Sequence, residues 1–391
     1  MYDPAMLSTL YRYLTRELLT PFLLGLFIFT GLLLVGRMLK LVDMVVSKGV
    51  PVSELLLLIL YLLPNFAVIT IPMALLLGIL LAFSRLSADS EIIAIKASGI
   101  SLYRLLPPVA VIAVIAYALT AYTAIYALPK GNVAFKNLLY QVIQRRLNLN
   151  LKEQTFNNSI PGLLIYIDKK DEKTRQLSGI MIQDERNPKE VSTIFATSGS
   201  LGMDENTRKI HLLLSDGSIH QSSAKGSYRR LEFKEYELTV DISQTIKAYE
   251  KNELDMSLDE LRGNLRTGGF SKKVTLDMGL EVHRRFTLPF ACFIFAIVAM
   301  PLGVYNRRAG KAAGFSLSIV TLLLFYVVQS IGRTLGEKEL LPLPLAAWLP
   351  NIIFLSLGIY LFVKAAREES IGLITWIGGI AGLIFRKRTG K

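Results

Sequence analysis

Cysteine is nearly absent from this sequence. The one residue, Cys292, lies inside an apolar run, so no intramolecular disulfide is possible and the redox compartment stays open. Histidine is almost as scarce. His211, His220 and His283 make neither an HExxH pair nor a Cys/His ligand cluster, which excludes a metal site of those kinds. No GxSxG elbow occurs. A Walker A loop is missing too: Ala312 follows Gly310-Lys311, and Tyr305 stands where the motif needs its first glycine. The expectation is therefore no catalytic residue, no metal and no cofactor in this chain, and the weight moves to transport or scaffolding. Low-complexity tracts are also lacking, and the two halves do not visibly repeat each other.

Apolar residues are what the chain has in excess. They make up 52% of its 391 residues, with a mean hydropathy of +0.42, too apolar for an ordinary soluble protein. A bilayer-crossing helix needs roughly 20 mostly apolar residues. Six stretches qualify, at about 20–37, 55–83, 104–128, 286–305, 312–332 and 343–363. The second carries Pro64 and Pro72 as expected kink sites. Ahead of the first, Leu7, Leu10, Tyr11, Leu14 and Leu18 share one helical face opposite Arg12, Arg16 and Glu17. This stripe predicts a helix lying in the membrane interface, with a plain extension of the first span as the alternative. No cleavable signal peptide is evident.

The net charge of +13 is read by position. Arg12, Arg16, Arg85, Lys96, Arg104, Arg307, Arg308, Lys311, Lys364, Arg367, Arg386, Lys387, Arg388 and Lys391 would share one side of the membrane, against Arg37, Lys40, Lys48, Arg333 and Lys338 on the other. The positive-inside rule makes the first side cytoplasmic, with both termini inside. The basic surplus is then largely topological, and no nucleic-acid partner is needed. Residues 371–385 are apolar but few for a span, so 367–391 is expected as a cytoplasmic interfacial tail.

Residues 132–270 change texture. The runs "GLLIYID", "GIMIQD", "VSTIFAT", "KIHLLLSDGSIH" and "YRRLEFKEYELTVDI" read as short strands, with turns at "DENTRK" and "SDGS". His211 and His220 would bracket a hairpin as surface residues. The fold class is thus a membrane α-helical protein of six transmembrane helices with an inserted periplasmic all-β domain, a sandwich, jelly roll or partly open structure. Ser257 and Glu260 are spaced as the capping box of a short helix that "TGG" ends. The expected domains are 1–131 and 271–366 for the two halves of the membrane part, and 132–270 for the β-domain between them.

Several polar groups stand out near the membrane. Arg37 and Lys40 share a face at the outer end of the first span, as snorkelling anchors or as a site for lipid phosphate. Arg284 and Arg285 precede the fourth span, where they bind headgroups or sit at the interface. Tyr326, Gln329, Ser330 and Arg333 form a stripe on the fifth span, either a gate or seam or interhelical glue. Between spans two and three, "SRLSADSEIIAIKASGIS" carries Arg85, Ser87, Asp89, Glu91, Lys96 and Gly99. A short helix over 87–97, capped by Ser87 or Ser90 and stopped near Gly99, would give a motor protein a rigid lever. An interfacial loop without a partner is the alternative.

The stretches "YRYLTRELLTPF", "IPMALLLGILLAFSRLSADSEIIAIKASGIS", "EVHRRFTLPFACFIFAIVAMPLGV" and "NRRAGKAAGF" resemble the lipopolysaccharide export permease family, LptF/LptG. "RYLTRE" and "MPLGVYNRRAGK" favour the F-type subunit over the G-type. The resemblance implies a transporter subunit of a Gram-negative inner membrane, paired with a second, G-type permease and served by a cytoplasmic ATPase dimer. It also implies a bitopic partner, LptC, and lipopolysaccharide as the cargo. In that setting Glu91 is the acid of the coupling helix, and Arg37 and Lys40 face the lipid cavity. The competing readings are the G-type paralogue, an ion-coupled lipid transporter and a sensor or scaffold for a periplasmic ligand. An ion-coupled transporter calls for ionisable residues at mid-membrane, where the span centres hold almost none.

Overall fold

The structure is a computed structural model that describes residues 4–48, 51–149, 153–160, 162–170, 176–185, 190–204, 209–223, 228–241, 251–305 and 310–369. The chain forms two compact units. One is helical and draws on Met1–Val45, Leu55–Ala134 and Lys251–Lys391; the other draws on Val46–Glu54 and Phe135–Glu250 and contains the β-sheet.

The helical elements are α1 (Pro4–Lys48), α2 (Val52–Ala88), α3 (Glu91–Ala97), α4 (Leu106–Tyr122), α5 (Leu128–Leu149), α6 (Leu258–Thr267), α7 (Lys272–Tyr305), α8 (Gly310–Glu337) and α9 (Leu343–Ala366). A 3₁₀ turn, Leu102–Leu105, leads into α4, and a π turn, Thr123–Ala127, joins α4 to α5. Among the described residues six helices are long and apolar enough to cross a membrane: Leu7–Arg37, Val52–Ala88, Leu102–Leu139, Lys272–Tyr305, Gly314–Glu337 and Leu343–Ala366. All six apolar runs are therefore helices, and several extend well past the runs. The fourth begins at Lys272, and its first turns carry Glu281 and Arg285, which pair with each other inside the protein.

The interface helix expected before the first span is the start of α1 itself, one unbroken helix with Pro21 inside it. Its apolar stripe packs on protein: Leu14 and Leu18 are buried in the helical core. Pro64 and Pro72 likewise lie within a continuous α2. Among the described spans α2 and α7 are the most deeply buried, and an aromatic cluster joins α7 to α8 and α9, where the Phe325 ring meets those of Phe295 at 4.7 Å and Phe354 at 5.2 Å. Close approach of α1 and α2 depends on Gly78, where a Cβ would stand 2.9 Å from the Phe22 backbone. The tail at 370–391 lies outside the described residues.

The β unit is one antiparallel sheet with strands in sequence order: β1 (Phe156–Ile160), β2 (Leu163–Lys170), β3 (Gln176–Asp184), β4 (Glu190–Asp204), β5 (Lys209–Ser223) and β6 (Tyr228–Asp241). One face carries Leu163, Ile165, Ile167, Leu177, Ile180, Ile182, Ile194, Leu212, Leu214 and Leu238, all buried. The other face alternates with them, as period-2 geometry requires.

That alternation slips once, at the same level in every long strand. Ile180, Ala196, Gly217 and Phe233 are aligned across the sheet, as are Leu177, Gly199, Leu214 and Tyr236 three residues away. Both rows face inward, although a spacing of three reverses a regular strand. Gly179, Thr197, Asp216 and Lys234 fill the gap as one extra residue per strand, and Asp168 does the same in β2. Gly179 (φ 63°) and Asp216 (φ 52°) adopt the left-handed conformation there, and the Thr197 hydroxyl donates to the Asp216 carbonyl at 3.0 Å. Because every strand gains a residue, register is kept on both sides and the sheet bends along a transverse crease.

The crease corrects one expectation. "SDGS" is no turn, and the hairpin between His211 and His220 is absent: β5 runs straight through. Aspartate tolerates the left-handed region, so the turn chemistry serves a bulge instead. His211 and His220 are strand residues, bonded to Glu237 and Tyr228. The residues 205–208 of "DENTRK" lie outside the described set, between paired Asp204 and Lys209.

Candidate functional site

Among the described residues two polar clusters hold most of the candidates, while Arg285 and Arg37 lie elsewhere. The first is the connection from α2 to α4. Here α3 forms over Glu91–Ala97, with Ser90 at its N-cap and Gly99 (φ 85°) past its end. Ser90 gives no side-chain cap, since its own backbone is left-handed (φ 60°). Ser87 is no cap either. It is still in α2, buried, and its hydroxyl donates to the Val304 carbonyl of α7 at 2.8 Å.

The charged residues of this connection tie it to the helices around it. The Tyr13 hydroxyl of α1 donates to Glu91 at 2.8 Å. Arg85 pairs with Glu17 of α1 and, at 3.4 Å, with Asp89. Lys96 reaches Glu368 at 3.1 Å, just beyond α9. Each of these partners lies far away in sequence or on the next turn, so the segment is braced at both ends. The exposed residues of α3 are Ile93, at 45%, Ala94 and Ala97.

The second cluster lines a cavity of about 330 Å³ in the helical unit, between α7, α8 and the chain before α6. It unites residues that were separate candidates. Arg284 stands on α7 opposite Tyr326, Gln329, Ser330 and Arg333 of α8, with Leu254, Leu280 and Leu288 as apolar wall. Arg284 donates to Glu281 at 3.0 Å. Arg333 donates to Glu337 at 2.6 Å and crosses to Asp277 of α7 at 3.7 Å. The charges thus close the seam between the two helices.

Arg285 has a different place. It is buried under α6, where it donates to Glu281 at 3.3 Å and to the carbonyls of Glu253 (3.2 Å) and Met256 (2.7 Å). A side chain so committed pins the chain entering α6. The capping box at Ser257 and Glu260 is formed, and the carboxylate of Glu260 is held below the usual range by Lys251 and then by the Ser257 backbone N–H.

Arg37 is exposed on α1. Lys40 continues the same helix, and its side chain lies outside the described residues. Sequence reasoning missed Tyr13, Glu17 and Glu368, and it missed Asp277 and Glu281. Tyr13, Glu17, Glu368 and Asp277 are single polar residues whose partners are brought near by helix packing. A signal was present for three: Tyr13 and Glu17, four apart, share one turn-to-turn face, and Glu281 has Arg284 and Arg285 at i+3 and i+4 on its own helix. Among the described residues no group of His, Cys, Asp and Glu could hold a metal ion.

The Escherichia coli (strain K12) lipopolysaccharide export system permease protein LptF is 24% identical over 354 residues, covering 90% of this chain and 93% of that protein. The Shigella flexneri protein of the same name is equally similar. A Rickettsia prowazekii (strain Madrid E) protein, RP871, is 23% identical over 359 residues, 90% of this chain and 98% of the other. The family described as "Lipopolysaccharide export system permease LptF/LptG" matches residues 12–364, from the start of α1 through the sheet to the end of α9, and the chain belongs to that family.

Proposed function

We propose that this lipopolysaccharide export permease is the F-type subunit of an ATP-driven exporter. It extracts lipopolysaccharide from the outer leaflet of the inner membrane and passes it to a periplasmic bridge. The β-sheet unit is periplasmic in this reading, and both termini are cytoplasmic. A G-type permease completes the lipid cavity, LptC joins on the periplasmic side, and a separate ATPase dimer supplies the energy. This chain itself holds no cofactor. The curated relatives named LptF support the F-type assignment.

The observation that carries the coupling part is α3. It is a seven-residue helix held by side-chain bonds to α1 and to the end of α9, with Ile93 turned outward. A braced helix transmits force, and an exposed apolar knob beside an acid suits a groove on a soluble motor. Glu91 and Lys96 flank that knob, with Arg85, Ser87, Asp89 and Gly99 shaping its base. Arg37, Lys40 and Arg284 meet the lipid's phosphates, and Tyr326, Gln329, Ser330 and Arg333 line the moving seam. Arg285 serves by holding the chain before α6.

Purification of the Glu91→Lys protein with its partners tests this reading. Losing one member of a desolvated interfacial pair costs about 2–5 kcal/mol, so the ATPase is expected to dissociate or to hydrolyse without lipid release. Normal association and normal release would sink it.

A further inference from the structure

The outward face of the sheet carries a stripe of rings. Tyr166 alternates with buried Ile165 and Ile167, Met181 with Ile180 and Ile182, and Phe195 with Ile194 and Ala196, so these three point away from the apolar interior. Cross-strand register aligns them with Phe156 as one row over β1 to β4. The stripe continues diagonally onto β5 and β6. The Phe195 ring meets His220 at 5.5 Å, and His220 meets Tyr228 at 5.9 Å. Phe156 is 61% exposed, Phe195 44% and Tyr228 66%. Contiguous exposed rings, unlike scattered apolar residues, mark a binding surface.

Beside the row the crease opens a hollow of about 540 Å³. Tyr166, Met181 and Phe195 give it an apolar wall, and Thr197, Asp216 and Ser218 supply two hydroxyls and a carboxylate. Gly179 also lines it and has no side chain to fill the space. Among the described residues its lining holds one acid and no cation.

That lining selects its occupant. A phosphate would meet a carboxylate and no opposite charge. An acyl chain would cover three hydrogen-bonding groups and satisfy none. A strand of another protein pairs with a sheet edge, not with a face. A neutral pyranose fits both halves of the chemistry. One face of the ring is C–H and lies flat on an aromatic side chain, while the hydroxyls around it donate to a carboxylate and to hydroxyl oxygens. We propose that the outward face is a carbohydrate-binding platform, on which Phe195 and Tyr166 stack against a sugar ring and Asp216 accepts from its hydroxyls. The proposal rests on the exporter reading for the source of the sugar, and deepens it by giving the saccharide part of the cargo a surface separate from the apolar interior.

The test titrates the full chain in lipid nanodiscs, without ATP or a motor, with the acyl-free oligosaccharide that mild acid releases from lipopolysaccharide. Saturation-transfer NMR reads the binding. Transfer is expected, concentrated on the C–H protons of one ring face. Phe195→Leu keeps apolar bulk and removes the flat ring, and Asp216→Asn keeps the shape and removes the charge. Each should weaken binding by about fivefold or more. Phe195→Tyr should bind as the parent does. Leu213→Ala, between buried Leu212 and Leu214 and across the crease from the hollow, should leave binding unchanged. If Phe195→Leu lowers the unfolding temperature, Asp216→Asn decides. No transfer in the parent, or undiminished binding in the leucine and asparagine variants, overturns the proposal. So does displacement of the oligosaccharide by decanoate, which would make the face an acyl surface. None of these results requires transport, so they leave the exporter reading standing, and the Glu91→Lys result bears on that reading alone.

Discussion

Arg285 is the largest fully buried side chain among the described residues. A guanidinium out of water is tolerable because Glu281 balances its charge and two carbonyls accept from its Nη2, although Nη1 is buried with no hydrogen-bond partner among the described residues. Removing it leaves buried Glu281 to Arg284 alone and takes the donor from two carbonyls. Arg285→Leu is therefore expected to destabilise by about 3–5 kcal/mol, read as a lowered unfolding temperature in detergent. Arg285→Lys should rescue little, because an ammonium cannot reproduce the fork. Glu260 gives a pH-dependent counterpart. Its pKa is lowered on folding, so its contribution is present above the ordinary carboxylate value, about 4.3, and is lost as pH falls through the lowered one. Amide exchange of α6, corrected for intrinsic rates, should accelerate on acidification below about pH 4. Glu260→Gln should be fast already at neutral pH and show little of that dependence.

Single elements show where patterns inform and where they mislead. The amphipathic stripe of α1, the capping box of α6 and the strands from Leu163 to Leu238 were all legible, since each depends on neighbours within a few residues. "SDGS" was not. Aspartate-glycine serves turns and bulges alike, and only the pairing of β5 with β4 and β6 on both sides of Asp216 decides between them. Asp216→Val is the discriminating substitution. A β-branched residue in the left-handed region is expected to cost about 1–2 kcal/mol, while Asp216→Gly, which accepts that φ, should cost less. Thermal unfolding of the full chain separates the two. In a hairpin-tip loop free to rearrange, the substitutions would be nearly equivalent.

At the scale of the molecule, a lipid-transport role asks how the β unit handles acyl chains. Its inner face is filled by its own side chains, with Ile165, Ile167, Ile182 and Leu212 all under 2% exposed. A lipid can enter only if that face opens, and shielding hydrocarbon there is worth roughly 0.8 kcal/mol per buried CH₂. A photoreactive residue at Ile182 is expected to crosslink lipopolysaccharide in the complete complex when ATP is supplied and to remain unreacted without it. Crosslinking absent at every inward position of an active complex would leave the sheet as a docking module.

Local chemistry alone determined the six spans, the β-rich insertion and the lack of a nucleotide loop. Hydrophobic runs must be buried or lie in lipid whatever surrounds them, and a missing motif is missing in any fold. The helical packing decided what the charged residues do. Arg284 and Arg333 share one cavity, while Arg285, adjacent in sequence to the first, is buried beneath α6. Consecutive helical residues point about 100° apart, so neighbours in the chain become members of different sites. Tyr13 and Glu91 are 78 residues apart and bonded. Such a contact is set by how α1 lies against α2, a tertiary property that no run of either segment encodes.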